Sequence, residues 1–181
     1  ARDENTGQNI QNPIPVGTRL SGKINNNLRL GFLSMQAGRE DAASLPSYNY
    51  SVLSLQQKVF ARSNISFLFV NKQTFENEGD YDTSLYAEWN RTLGVDYNLA
   101  SADNRWNGKL FYHQSIDEVQ PDDAFSTGVE VSYNIPKWSW NMRAQSVGAN
   151  YNPEVGFVRR RDIRQFANTF RYSFFPKQGG I

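Results

Sequence analysis

The strongest constraint in this chain is an alternation that runs through residues 84–99. The odd positions carry Leu85, Ala87, Trp89, Arg91, Leu93, Val95, Tyr97 and Leu99; the even positions carry Ser84, Tyr86, Glu88, Asn90, Thr92, Gly94, Asp96 and Asn98. Successive side chains of a strand point to opposite faces, so the stretch predicts one strand with an apolar face and a polar face. A strand of that length spans roughly 50 Å at about 3.3 Å per residue. Strands of soluble proteins usually hold about 5–6 residues. Long, repeated, aromatic-rich strands are what an outer-membrane β-barrel requires.

The same period recurs along the chain and predicts about nine strands. Residues 14–24 place Ile14, Val16, Leu20 and Ile24 on one face and Arg19, Ser21 and Lys23 on the other. Asn25, Asn26 and Asn27 form a turn, because Asn tolerates left-handed backbone. Residues 28–36 follow, with Leu28, Leu30 and Phe32 outward. In residues 48–58, Tyr48, Tyr50 and Val52 share one face while Leu53 and Leu55 share the other. A bulge near Val52 would reconcile them. Residues 63–74 carry Ile65, Phe67 and Phe69 on one face. After the long strand come residues 105–116, with Trp106, Leu110 and Tyr112 outward, and a strand through Phe125, Val129 and Tyr133. Trp138, Trp140 and Met142 mark the eighth strand, and Phe166, Phe170 and Phe174 mark the ninth.

Connections alternate in length. Short ones fall at residues 25–27, 57–62, 101–104 and 134–137, and longer ones at 37–47, 75–82, 117–123 and 150–162. Up-and-down transmembrane barrels have short periplasmic turns and longer extracellular loops, whereas a Greek-key sandwich has no reason to alternate. The expected fold is therefore all-β, an antiparallel up-and-down transmembrane β-barrel spanning residues 14–175. Residues 1–13 are then a polar extracellular segment, and residues 176–181, with Pro176 and the Gly179–Gly180 pair, turn toward further strands. An odd strand count also points to a piece of a larger barrel, since bacterial single-chain barrels have even counts.

Composition is compatible with this reading. The chain has 181 residues, with 19 Lys and Arg against 18 Asp and Glu. There is no basic surplus for binding nucleic acid. The mean hydropathy of −0.64 does not argue against a membrane, because a barrel strand shows lipid only at every second residue. Aromatic residues make up 14%, and barrels place aromatic girdles at both interfaces. No apolar run reaches the length of a transmembrane helix. Residues 1–13 lack the apolar core of a signal peptide, so an exported chain has lost it or begins partway through a longer one. Cysteine is absent, which excludes disulfides and thiolate metal sites.

Three stretches carry a family resemblance: Ile14-Pro15-Val16-Gly17-Thr18-Arg19-Leu20-Ser21-Gly22-Lys23, Phe60-Ala61-Arg62-Ser63-Asn64-Ile65 and Asn152-Pro153-Glu154-Val155-Gly156-Phe157-Val158-Arg159-Arg160. Asn90-Arg91-Thr92-Leu93-Gly94-Val95-Asp96 fits the same pattern. Together they resemble an uncharacterised Bacteroidota-type outer-membrane barrel domain. In that family the barrel follows a carbohydrate-binding family-nine-like module. The resemblance implies an outer-membrane location, with a sugar-binding-like module and further strands in the parent protein. It transfers no catalytic residue.

The residues offer little for catalysis. His113 is the only histidine. A lone imidazole needs a nucleophile and an orienting acid in reach, and multi-imidazole metal binding is excluded. Glu76, Glu78, Asp80 and Asp82 cluster in one loop. Oxygen-rich loops hold calcium, but this spacing is not that of an EF-hand and reads as a solvated acidic loop. Asp117, Glu118, Asp122 and Asp123 read the same way. No cofactor is expected. Arg159, Arg160 and Arg161 would pair with lipopolysaccharide phosphates or a partner's carboxylates, or pack their loop into the barrel together with Gly156 and Phe157. Trp89, Trp106, Trp138 and Trp140 fall on the lipid side by parity and read as girdle anchors.

The polar face remains: Arg19, Lys23, Arg29, Glu88, Asp96, Lys109, His113, Glu130, Arg143 and Arg171 face the interior. Mixed charges of this kind line a water-filled pore or form an ionic network that plugs it. The expectation is a non-enzymatic, porin-like pore, or a barrel subunit of an uptake or secretion assembly. Its partners are outer-membrane lipid, lipopolysaccharide and other outer-membrane or periplasmic subunits. A soluble β-sandwich that binds carbohydrate and a barrel enzyme built on His113 are the alternatives.

Overall fold

A computed structural model describes residues 12–40, 45–77 and 79–175. Glu78, residues 1–11 of the N-terminal segment and the Pro176 to Gly180 turn lie outside the described residues. The chain forms nine strands, β1 (Val16–Lys23), β2 (Leu28–Ala37), β3 (Tyr48–Val59), β4 (Ser63–Gln73), β5 (Trp89–Ala100), β6 (Trp106–Asp117), β7 (Phe125–Asn134), β8 (Trp138–Val147) and β9 (Ile163–Tyr172). They build one sheet in the order β1-β2-β3-β4-β5-β6-β7-β8-β9. Every pairing is antiparallel and links neighbours in sequence. This order contains no Greek-key crossing, so the two-sheet sandwich is not the arrangement found. The sheet is not closed: among the described residues β1 pairs only with β2, and β9 only with β8.

Paired residues share a face, so the register carries the parity of β5 across the sheet. The polar face holds Asp96 and Asn98 of β5, with His113 and Lys109 of β6 beside them. The apolar face holds Leu93, Val95, Tyr97 and Leu99, with Tyr112 and Leu110 opposite. Trp89, Trp106, Trp138 and Trp140 all fall on the apolar face.

Three details depart from the alternation. β5 starts at Trp89, not Ser84. The Asp82 carboxylate accepts from the backbone and hydroxyl of Ser84 (2.9 and 2.6 Å), and its carbonyl accepts from Leu85 and Tyr86. An aspartate that captures the backbone two residues on makes a turn. Leu85 is accordingly 68% exposed. Second, β3 has no bulge: its register with β4 is continuous from Asn49↔Gln73 to Val59↔Ser63. Tyr48, Tyr50 and Val52 therefore share the polar face, and Tyr48 is fully buried there. Third, no residue of Asn25–Asn27 has positive φ. The turn closes instead through the Asn25 side chain, which accepts from the N–H groups of Asn27 and Leu28 at 2.8 and 2.9 Å.

The two ends of the sheet differ. The short turns lie at one end and the long connections at the other. Ser63 aside, the buried side chains gather at the long-loop end: Ala37, Tyr48, Val70, Thr74, Tyr81, Asn90, Thr92, Ser115, Ala124, Ser126, Val147 and Tyr151. The packed centre of the fold is thus the space beneath the long loops.

Candidate functional site

The connection between β8 and β9 folds back across the polar face. It leaves the sheet at Gly148, where a Cβ would lie 1.8 Å from the Asp123 carbonyl oxygen. Only glycine allows that approach. The Gly148 N–H donates to the Phe125 carbonyl at 2.8 Å. From there the strands' own side chains hold the loop. Asn90 donates to the Asn152 carbonyl at 2.9 Å and accepts from the Glu154 N–H at 3.2 Å. The Ser115 hydroxyl accepts from the Asn152 N–H at 2.9 Å. Lys72 pairs with the Glu154 carboxylate and sits 3.9 Å over the Tyr48 ring. The Tyr48 hydroxyl in turn donates to the Ala87 carbonyl at 2.7 Å. Side chains of β4, β5 and β6 thus satisfy groups that a free loop would give to water.

Between this loop and the polar face lies a cavity of about 910 Å³, lined by Thr92, His113, Ser126, Arg143 and Gln145 from the sheet and Tyr151, Pro153, Phe157, Arg159 and Arg160 from the loop. Burial pushes the Tyr151 phenol above its ordinary pKa. Arg161 donates to the Asn152 side-chain oxygen and so braces the loop itself. Phe157 is 89% exposed; it does not pack the loop down, as the sequence suggested.

Toward the short-turn side the polar face carries a row of alternating charge. Lys109 is register partner of both Asn98 and Glu130, and Glu130 of Arg143. Arg143 grips Glu130 through Nε and Nη2 at 3.2 and 2.9 Å. Asp96 lies 3.5 Å from the Lys109 amine and 3.0 Å from His113 Nε2. The imidazole fits because its neighbour across the strands is Gly94, where a Cβ would meet the ring at 2.7 Å. Among the described residues no hydroxyl is hydrogen-bonded to His113, so the pair has an acid but no positioned nucleophile.

Nine of the ten polar residues assigned to the interior share the polar face: Arg19, Lys23, Arg29, Asp96, Lys109, His113, Glu130, Arg143 and Arg171. Only Asp96, Lys109, His113, Glu130 and Arg143 converge. Lys23 and Arg29 face each other at the β1–β2 hairpin, and Arg171 sits on the edge strand β9 opposite Ser139. Glu88 precedes β5; its carbonyl accepts from Thr74, its N–H donates to Glu118, and its side chain is exposed.

The acidic loops serve structure. Glu76 accepts from the Ser47 N–H at 2.8 Å and pairs with Arg39 at 3.1 Å, tying two long loops together. Desolvation raises its pKa, but the Ser47 hydrogen bonds and Arg39 outweigh it and hold the carboxyl below its ordinary value. Asp117 caps Val119 and Gln120. Among the described residues no three metal-ligating side chains converge.

The apolar face has its own layout. At its long-loop end, Ser34, Gln36, Asn49 and Ser51 form a hydrogen-bonded polar patch, and Arg91 donates to Asn71 at 3.1 Å. At its short-turn end, Trp106, Tyr133, Trp138, Trp140 and Phe170 form a continuous row, with ring centroids 4.8–6.4 Å apart. Between these bands lie exposed apolar residues, among them Phe32, Phe67, Leu93, Val95 and Leu110. None of this layering is visible in a single strand.

No protein-family model, curated protein or solved structure gives a significant match to the chain.

Proposed function

We propose that this chain forms part of the wall of an up-and-down transmembrane β-barrel in the outer membrane of a Gram-negative bacterium. Its role is non-enzymatic: a pore, or a barrel subunit of a larger uptake or secretion assembly. The observation that carries this reading is the layered apolar face. An exposed apolar band is bounded by an aromatic row at the short-turn end of β6–β9 and by a polar patch at the long-loop end of β2–β5. On β5 the band runs from Leu93 to Leu99, roughly 20 Å at about 3.3 Å per residue. Outer-membrane barrels show lipid a band about 25 Å tall, flanked by aromatic girdles. A large exposed apolar patch on a water-soluble protein would be an aggregation hazard.

The polar face then lines the lumen, and residues 148–162 narrow it from the outer side. The mixed charge of the Asp96–Lys109–Glu130–Arg143 row suits a hydrated wall. Lipid cannot satisfy the backbone groups at the free edges of β1 and β9, so further strands pair with them, from the same polypeptide or from other copies. The resemblance to Bacteroidota-type barrel domains points the same way.

Membrane fractionation tests the reading. The intact protein should stay in outer membranes washed with urea, dissolve only in detergent, and migrate differently on gels when unheated and when boiled. Release by urea or high salt would sink it.

A further inference from the structure

We propose that the cavity beneath residues 148–162 binds a solute bearing an oxyanion, a carboxylate or a phosphate, with Arg159 and Arg160 as its cationic contacts. The inference rests on the barrel reading, because the lumen delivers the solute. Its basis is an imbalance of charge in a half-open pocket on which two exposed arginines converge. No Asp or Glu lines the cavity. The nearby carboxylates already have cations: Asp96 has Lys109, Glu130 has Arg143, and Glu154 has Lys72. Arg159 and Arg160 line the cavity and have no hydrogen-bond or ion-pair partner among the described residues. Arg161, by contrast, is engaged with Asn152.

Two features make this more than a solvated basic run. The loop that carries the arginines is held at Asn152 and Glu154 by Asn90, Ser115 and Lys72, and Arg161, next to them, is tied back to Asn152. The volume of this half-open pocket, about 910 Å³, also lies within the usual range for small-molecule sites, roughly 300–1,000 Å³. The guanidinium fork matches the paired oxygens of carboxylate and phosphate. Thr92 and Gln145 offer neutral hydrogen bonds, and Tyr151 and Pro153 offer apolar wall for a carbon skeleton.

Titration calorimetry on the intact, detergent-purified protein tests this with inorganic phosphate, galacturonate and neutral galactose. At least one oxyanion should bind at least tenfold more tightly than galactose. Tighter phosphate assigns a phosphate-bearing solute, and tighter galacturonate a carboxylate. The Arg159→Gln/Arg160→Gln variant should lose at least tenfold, and Arg159→Lys/Arg160→Lys should recover part of the loss. Equal binding of galactose and galacturonate, or no oxyanion binding by the unaltered protein, would overturn the proposal, as would full binding by the glutamine variant. The comparison on unaltered protein holds even if a variant fails to assemble. Failure of the barrel reading shows separately, as release from membranes by urea.

Discussion

The Asn90 side chain bonds the Asn152 carbonyl at 2.9 Å and the Glu154 N–H at 3.2 Å, joining β5 to a loop more than sixty positions later. Asn90 is 2% exposed, so its amide has no water to fall back on. Asn90→Ala removes both bonds and leaves the loop's groups unsatisfied, a cost of about 2 kcal/mol or more. Amides of residues 151–155 should then exchange hydrogen faster and nearby bonds become protease-sensitive, while the strands stay protected. Unchanged exchange in that stretch would mean that Asn90 is not the clamp.

Val95 is 50% exposed on the apolar face. Val95→Arg should impair membrane assembly, at a cost of about 2–4 kcal/mol if the site lies near the bilayer midplane. Asn98→Ala, on the polar face, should assemble normally. The readout is the fraction of each variant recovered in urea-washed membranes. Normal assembly of Val95→Arg together with loss of Asn98→Ala would reverse the facing.

Local parity made much of this fold legible. All four tryptophans fall on one face and nine of the ten polar residues singled out on the other, because side-chain direction in a strand needs only the count of residues between them. The hairpin order followed from the turn residues. The errors came where longer-range or side-chain chemistry took over. Residues 84–88 alternate like a strand, but the Asp82 carboxylate captures Ser84 and bends the chain. Tyr48, Tyr50 and Val52 looked misplaced beside Leu53 and Leu55, and a bulge seemed necessary. They lie on the polar face, where Tyr48 is fully buried beneath Lys72 with its hydroxyl on the Ala87 carbonyl. The cavity itself was hidden, since Asn90, Ser115 and Lys72 read only as polar strand residues until the loop they hold is placed.

The Glu76 clamp should weaken in acid. Its folded pKa lies below the ordinary carboxylate value of 4.5. A depressed pKa adds stability in full above the unfolded value, and that stability is lost as pH falls through the folded one. Protection of the Ser47 amide, corrected for intrinsic exchange, should therefore be greater at about pH 7 than at about pH 3.5. Glu76→Gln should lower protection at neutral pH and flatten the dependence. An equal pH response in Glu76→Gln would assign it to another group.

The charge row predicts that order of sign matters more than the identity of each residue. Glu130 sits between Lys109 and Arg143 in register, and its two carboxylate oxygens engage Arg143. Glu130→Arg would set three cations side by side across β6, β7 and β8. Like charges directly opposite each other are destabilising, and the row would contain two such pairs. Combining Glu130→Arg with Arg143→Glu restores one favourable pair on β7–β8 but leaves Lys109 facing a cation, so it should recover part of the loss. Adding Lys109→Glu re-establishes alternation throughout that stretch, at the expense of a new repulsion with Asp96, 3.5 Å from the present amine. Thermal unfolding in detergent should therefore rank the unaltered protein highest, the double variant next and Glu130→Arg lowest. Equal midpoints for all three would show that solvent screens the row completely, and that its alternation contributes nothing to holding these strands in register.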